Sequence, residues 1–81
     1  MADRPLVTMY SRPRCGLCDL ARRDILSIRE EISFRFEEVM IDGRDDLERE
    51  YGLRVPVVLV DGEEEFELEV DPARLRALLG A

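Results

Sequence analysis

The residues of this chain best suited to chemistry sit in one short stretch, "MYSRPRCGLCDLARR" from Met9 to Arg23, which holds both cysteines in a Cys-x-x-Cys spacing. An apolar run ends just before it and an amphipathic pattern follows, which puts Cys15 and Cys18 at the start of a helix. Residues three apart fall on the same side of the first turn, so the two sulfurs can close a small ring reversibly. Cys15 then lies nearer the unpaired N–H groups of that turn, and these, with the positive end of the helix dipole, favour a thiolate. Arg12 and Arg14 precede it, Arg22 and Arg23 follow, and together they add a local positive field. The thiolate is the attacking species in disulfide exchange. Cys15 is therefore expected as the nucleophile, and Cys18, one turn inside and less exposed, as the resolving thiol.

Two blander uses of the pair compete. Free cysteines are often small core-filling residues, but a packing pair has no need of flanking arginines. A structural zinc site wants four Cys or His ligands, and this chain has two cysteines and no histidine. Carboxylates or a second chain would have to complete it, so no metal ligand is assigned. Without an imidazole the Cys-His route to a hydrolase is closed. The surroundings of Gly43 and Gly62 are turns without a phosphate-cradling motif, which removes nucleotide binding.

The rest of the composition narrows the setting. The chain has 81 residues, 46% of them apolar and 38% charged, which suits a single folded domain over residues 1–81. Its net charge of −7 repels nucleic-acid phosphates and anionic lipid headgroups, so neither is an expected partner. No apolar run approaches the roughly 20 residues that cross a bilayer. The stretch "MADRPLVTMY" lacks the apolar core of a signal peptide, so a cytoplasmic location and a monomer are expected. In that reducing compartment a close cysteine pair reads as redox-active or metal-binding, not as a permanent staple.

Leu6–Tyr10 reads as a buried strand entering the "SRPRCG" loop. Leu17, Ala21, Ile25, Ile28 and Ile32 trace one helical stripe. "SFRFEEVMI", residues 33–41, reads as a strand more fully covered at its far end. Asp45 or Asp46 is placed to cap a short helix through Tyr51, with Gly52 just past it. Val57–Val60 is a compact strand, and Asp61-Gly62 is a hairpin signal. In the returning strand "EEEFELEV" Phe66, Leu68 and Val70 are expected on one face and Glu65, Glu67 and Glu69 on the other, the glutamates forming the wet side of an edge strand. Asp71-Pro72 opens a last helix carrying Leu75, Leu78 and Leu79. The order β-α-β-α-β-β-α implies an α/β fold, a four-stranded mixed sheet flanked by helices.

A strand ending in Tyr10-Ser11-Arg12-Pro13, then Cys15-Gly16-Leu17-Cys18 opening a helix, and later Val55-Pro56 entering a strand, resemble the glutaredoxin-like branch of the thioredoxin superfamily. The resemblance covers essentially the whole chain and implies a thioredoxin-like fold and a thiol-disulfide oxidoreductase. It implies a cis Val55-Pro56 peptide facing the cysteines, with the Val55 backbone pairing with a bound thiol peptide. By the same resemblance Arg12 is the basic residue that helps hold glutathione, Tyr10 flanks the groove, and Asp71 matches an acidic residue before the last helix; Arg14, like Arg12, is expected at the substrate side by its charge next to Cys15, where it favours the thiolate. A disulfide on a protein or small molecule would be the substrate. No bound cofactor is implied, only an external thiol donor, such as glutathione, or a reductase. The sequence also departs from that pattern. Where glutaredoxins carry a Gly-Gly pair gripping glutathione, this chain reads Phe66-Glu67-Leu68-Glu69-Val70-Asp71, with both glycines absent and bulky or charged side chains in their region. Arg54 stands in place of the usual threonine, and no Pro-Tyr separates the cysteines. The rival reading is a redox-inert thioredoxin-fold binding module, or a dimer bridged by a metal through the same cysteines.

Overall fold

A computed structural model describes residues 4–80 of the chain. Its elements are β1 (Leu6–Ser11), α1 (Gly16–Arg29), β2 (Arg35–Met40), α2 (Asp45–Tyr51), β3 (Val57–Val60), β4 (Glu63–Glu67) and α3 (Pro72–Leu78), in the expected order. The sheet runs β2-β1-β3-β4. The β1–β2 pair is parallel and is joined by the α1 crossover, while β1–β3 and β3–β4 are antiparallel, so the sheet is mixed.

Alternation along β1 sends Val7 and Met9 to one face and Thr8 and Tyr10 to the other. Val7 and Met9 join Val58, Val60 and Phe66 beneath Ala21, Ile25 and Ile28 of α1 and Leu75 of α3, with Leu79 just beyond it. Each fully buried side chain of this set contributes about 1.5–3 kcal/mol relative to exposure. On the opposite face Tyr51 of α2 stacks on Tyr10, ring centroids 4.3 Å apart. The Asp61-Gly62 turn has φ of 50° and 87°. That is the pair of left-handed residues a tight two-residue hairpin requires. Asp61 Oδ1 also accepts the Leu6 N–H at 3.0 Å.

Several local expectations shift. The buried stripe of α1 begins at Cys18, not Leu17, which is 41% exposed. The helix ends at Arg29, and Ile32 packs on the core from the turn beyond. β2 is an edge strand whose far end is open at Met40, while the buried Phe34 and Ile41 flank it from outside. The cap position of α2 is Arg44, without a side-chain cap bond. Asp45 and Asp46 instead lie in its first turn, where acid complements the dipole.

The alternation expected through Val70 stops at Glu67. A register shift in the β3–β4 pairing between Val58 and Leu59 and a left-handed Leu68, φ 70°, break the strand's period. The glutamates of this region are not merely hydrated. Glu64 and Glu67 pair with Arg54, and Glu65 pairs with Arg74.

Candidate active site

β1 delivers the chain to one end of the sheet, and the loop through Arg14, itself left-handed at φ 55°, turns it into α1. Cys15 is the N-cap of that helix, with extended backbone (φ −112°, ψ 107°). Its Sγ accepts the Cys18 N–H at 3.1 Å, and its carbonyl accepts the Asp19 N–H at 3.1 Å. A cap side chain facing the first turn is positioned to satisfy an otherwise orphaned donor. Here the acceptor is sulfur, and the same N–H remains available to a thiolate. Cys15 is half-buried and Cys18 fully buried. The two are joined as a disulfide with a Cα–Cα distance of 5.2 Å. The outer thiol is thus accessible to a partner and the inner one only to its neighbour.

The pairing of Tyr10 with Val57 brings the start of β3 to the same end of the sheet. The Val55–Pro56 peptide that leads into it is cis. Pro56 is buried and Val55 half-buried. Among the described residues the Val55 N–H and carbonyl form no intramolecular hydrogen bond. Leu68 straddles this residue, its N–H donating to the Pro56 carbonyl at 2.8 Å and the Arg54 carbonyl at 3.1 Å. A short length of unpaired backbone is therefore held open between two fixed neighbours.

The electrostatics differ from the positive field read from four neighbouring arginines. Arg12 points to α2, with Nε 2.8 Å from Asp42 Oδ1, one nitrogen 3.7 Å from Glu48 and another donating to the Gly52 carbonyl at 3.2 Å. Arg22 grips Glu38 of β2 through two bonds of 2.7 and 2.6 Å and also reaches Asp19. Arg23 lies 3.7 Å from Asp24. Arg14 is exposed and makes no ion pair among the described residues. Three of the four are locally compensated.

Glu38 shows the consequence. The Arg22 guanidinium holds its carboxyl below the ordinary range against a burial that pushes it up, and the nearby Ser11 hydroxyl adds to the lowering. Ser11 is itself buried, and its hydroxyl finds no partner of good hydrogen-bond geometry. Arg22 is raised in turn by Glu38 first and Asp19 second. Burial raises the Tyr51 phenol.

Tyr10 serves as a stacking partner of Tyr51, and the Arg54 guanidinium lies 5.5 Å from the Tyr51 ring centroid. Asp71 caps α3, its Oδ1 accepting the Ala73 and Arg74 N–H groups at 3.1 and 3.3 Å. Cys15 and Cys18 with Val55 and Pro56 thus lie at one end of the sheet, whereas Arg12 is engaged with the α2 side and Asp71 with its own helix. Unforeseen in the sequence is a hollow between α1 and the segment after β4, lined by Leu17, Leu20, Ala21, Leu68 and Val70 together with Arg23, Asp24 and Glu69. Its signal in the sequence was Leu20, a large apolar residue off the stripe of α1; Leu17 fits that stripe by spacing and turns outward only in the structure.

No three His, Cys, Asp or Glu side chains among the described residues come together as a metal-holding group. No helix among them is long and apolar enough to cross a membrane.

A model of the glutaredoxin-like domain (DUF836) matches residues 6–80. The uncharacterized protein Rv0508 of Mycobacterium tuberculosis is 35% identical over 80 aligned residues, which cover 93% of this chain and 82% of that protein. The X-ray structure of XcR50 from X. campestris is 40% identical, with a TM-score of 0.75 over 90% of this chain and 93% of that one. The solution structure of Ne2328 from Nitrosomonas europaea, 26% identical, gives 0.85 over 99% and 96%. A mutant thioredoxin from Halobacterium salinarum shares the fold at a TM-score of 0.65, with 23% identity over 95% of this chain and 73% of its own. The fold is thioredoxin-like.

Proposed function

From its membership of the glutaredoxin-like domain family (DUF836), we propose that this chain is a thiol-disulfide oxidoreductase working through Cys15 and Cys18. The observation that carries the reading is the asymmetry of the pair. Cys15 is accessible, and its sulfur caps α1 by accepting the Cys18 N–H, while Cys18 is buried within reach of it.

The cycle starts from the dithiol. The Cys15 thiolate attacks one sulfur of a substrate disulfide, and the other substrate sulfur leaves as a thiolate and takes up a proton. A mixed disulfide now joins Cys15 to the substrate. Cys18 loses its proton and attacks the Cys15 sulfur, so the Cys15–substrate bond breaks and the second substrate thiol departs. Two electrons have passed to the substrate, and the protein holds a Cys15–Cys18 disulfide. An external thiol, glutathione among the options, or a dithiol reductase returns it to the dithiol. The unpaired Val55 backbone beside Pro56 would align the substrate peptide as a strand. Arg14, free of local carboxylates, is the arginine best able to favour the thiolate, while Arg12 would contribute only by leaving its partners in α2. No bound cofactor, nucleic acid or membrane enters this reading, which places a monomer in the cytoplasm.

The test is a titration in glutathione buffers of stepped potential, with free thiols trapped by alkylation and read by intact mass. An internal disulfide closing at roughly −200 to −270 mV, the range of glutaredoxins and thioredoxin, is expected. Cys18→Ser should accumulate the mixed disulfide on Cys15, and Cys15→Ser should form none. Thiols that stay free across the range would remove the reading.

A further inference from the structure

We propose that the apolar hollow formed by Leu17, Leu20, Leu68 and Val70 is a side-chain subsite, selecting peptide disulfides that carry an apolar residue within two positions of the reacting cysteine over glutathione disulfide. The inference rests on the oxidoreductase reading above and names the substrate class of that site. Single exposed leucines are ordinary on protein surfaces. These converge: Leu17, Leu20 and Leu68 are 41, 48 and 42% exposed and line one hollow of about 200 Å³, with Arg23, Asp24 and Glu69 also on its wall. An apolar cavity of about 150 Å³ holds a benzene-sized group, so the space suits one leucine or phenylalanine side chain.

Two of the lining residues are linked to the proposed site, one through the chain and one through hydrogen bonds. Leu17 stands between Cys15 and Cys18 in the chain. Leu68 is tied by its N–H to the carbonyls of Arg54 and Pro56, on either side of the open Val55 backbone. Leu68 also holds a left-handed φ of 70°, which a branched side chain adopts only at a cost. Non-glycine residues kept in that region cluster at ligand-gripping sites. Here the strain carries the Leu68 side chain to the rim of the hollow.

Charge selects the occupant. Arg23 on the rim lies beside Asp24, and Glu69 on the opposite rim has no ion pair among the described residues. The hollow therefore offers no uncompensated cation, and the chain as a whole carries −7. Glutathione disulfide is a net anion without an apolar side chain. It gains nothing from the leucines and is repelled by the acidic surface. A neutral or basic extended peptide gains both contacts, its backbone on Val55 and its apolar side chain in the hollow.

The experiment is single-turnover exchange between the reduced protein and a set of symmetrical peptide disulfides, with leucine or serine placed in turn one or two positions either side of the cysteine, and with glutathione disulfide alongside. Thiols are quenched by alkylation and counted by mass. The expected result is a rate constant about tenfold higher for leucine than for serine at one of these positions, the scale on which apolar pockets discriminate. Leu68→Gly and Leu20→Ser should each cut that preference severalfold. Leu26→Ser, on the same helix but away from the hollow, should leave it intact. A leucine-to-serine ratio below about twofold at every position, with exchange still proceeding, overturns the subsite and spares the oxidoreductase. No exchange with any disulfide overturns both.

Discussion

Leu68 makes the strongest quantitative demand on the fold. Its φ of 70° is held by its N–H donating to two carbonyls, and the residue is 42% exposed, so a little over half of its surface is buried. Truncation to alanine forfeits about 1 kcal/mol of that burial, roughly half the value for a fully buried leucine, and leaves the left-handed backbone in place. Glycine forfeits the same burial but relieves about 1–2 kcal/mol of left-handed strain. Against this stands about 0.5–1 kcal/mol for the greater freedom of glycine in the unfolded chain. Leu68→Gly should therefore be more stable than Leu68→Ala by about 0.5–1 kcal/mol, and close to the parent. For a domain this small, that difference corresponds to roughly 3–6 °C in Tm. Urea denaturation of the disulfide form, followed by far-UV circular dichroism at equal m-values, would measure it. The same two substitutions at Leu26, inside α1, supply the ordinary order, with alanine ahead of glycine by about 1 kcal/mol. An alanine variant at position 68 as stable as the glycine variant would refute the strain, and with it the account of how the hollow's rim is held.

Two further outcomes concern the scaffold. The Glu38 carboxyl titrates lower in the folded protein than its ordinary value of 4.5, so the stability it contributes is fully present above that pH and is lost as pH falls through its folded value. Glu38→Gln should then lower stability by about 1 kcal/mol at pH 7, the scale of a partly exposed ion pair, and the gap to the parent should close in urea melts taken below pH 4.5. Asp71→Ala, which removes the cap of α3, should cost about 1 kcal/mol, while leaving the rate of exchange at Cys15 unchanged. A large loss of rate would instead assign Asp71 to substrate.

The element order was legible because each element carries a local signal that tertiary contacts did not override. The Asp61-Gly62 turn, the Asp71-Pro72 helix start and the Val57–Val60 strand stand where their residues put them. The failures occur where a local period is overruled. β4 loses its alternation at Leu68 because that N–H is needed by the carbonyls of residues 54 and 56, a demand from another segment altogether. Leu17 fits the helical stripe by spacing, but Cys18 takes the buried position and turns Leu17 outward. Pairing choices were equally hidden. Four arginines near one cysteine in sequence say nothing of Asp42, Glu48 and Glu38, which arrive from β2, α2 and the loop between them.

That redistribution of charge bears on which part of the molecule would activate Cys15 in the proposed cycle. With Arg12 and Arg22 held by carboxylates and Arg23 beside Asp24, Arg14 is left as the arginine without an ion pair among the described residues, and the start of α1 supplies a fixed positive pole at the sulfur. A helix N-terminus is equivalent to roughly half a positive charge. Here one of its N–H groups, that of Cys18, already points at the sulfur from 3.1 Å. Unlike a flexible arginine on the surface, this donor needs no reorganisation when the thiol ionises, and counterions screen it less at such short range. In the proposed cycle it would also tie the two cysteines' roles together, since the backbone of the resolving residue would steady the charge on the attacking one. In that cycle the outer thiol would thus be poised by the geometry that buries the inner one, with Arg14 beside it, while Arg12 and Arg22 hold the α2 side and β2 in place.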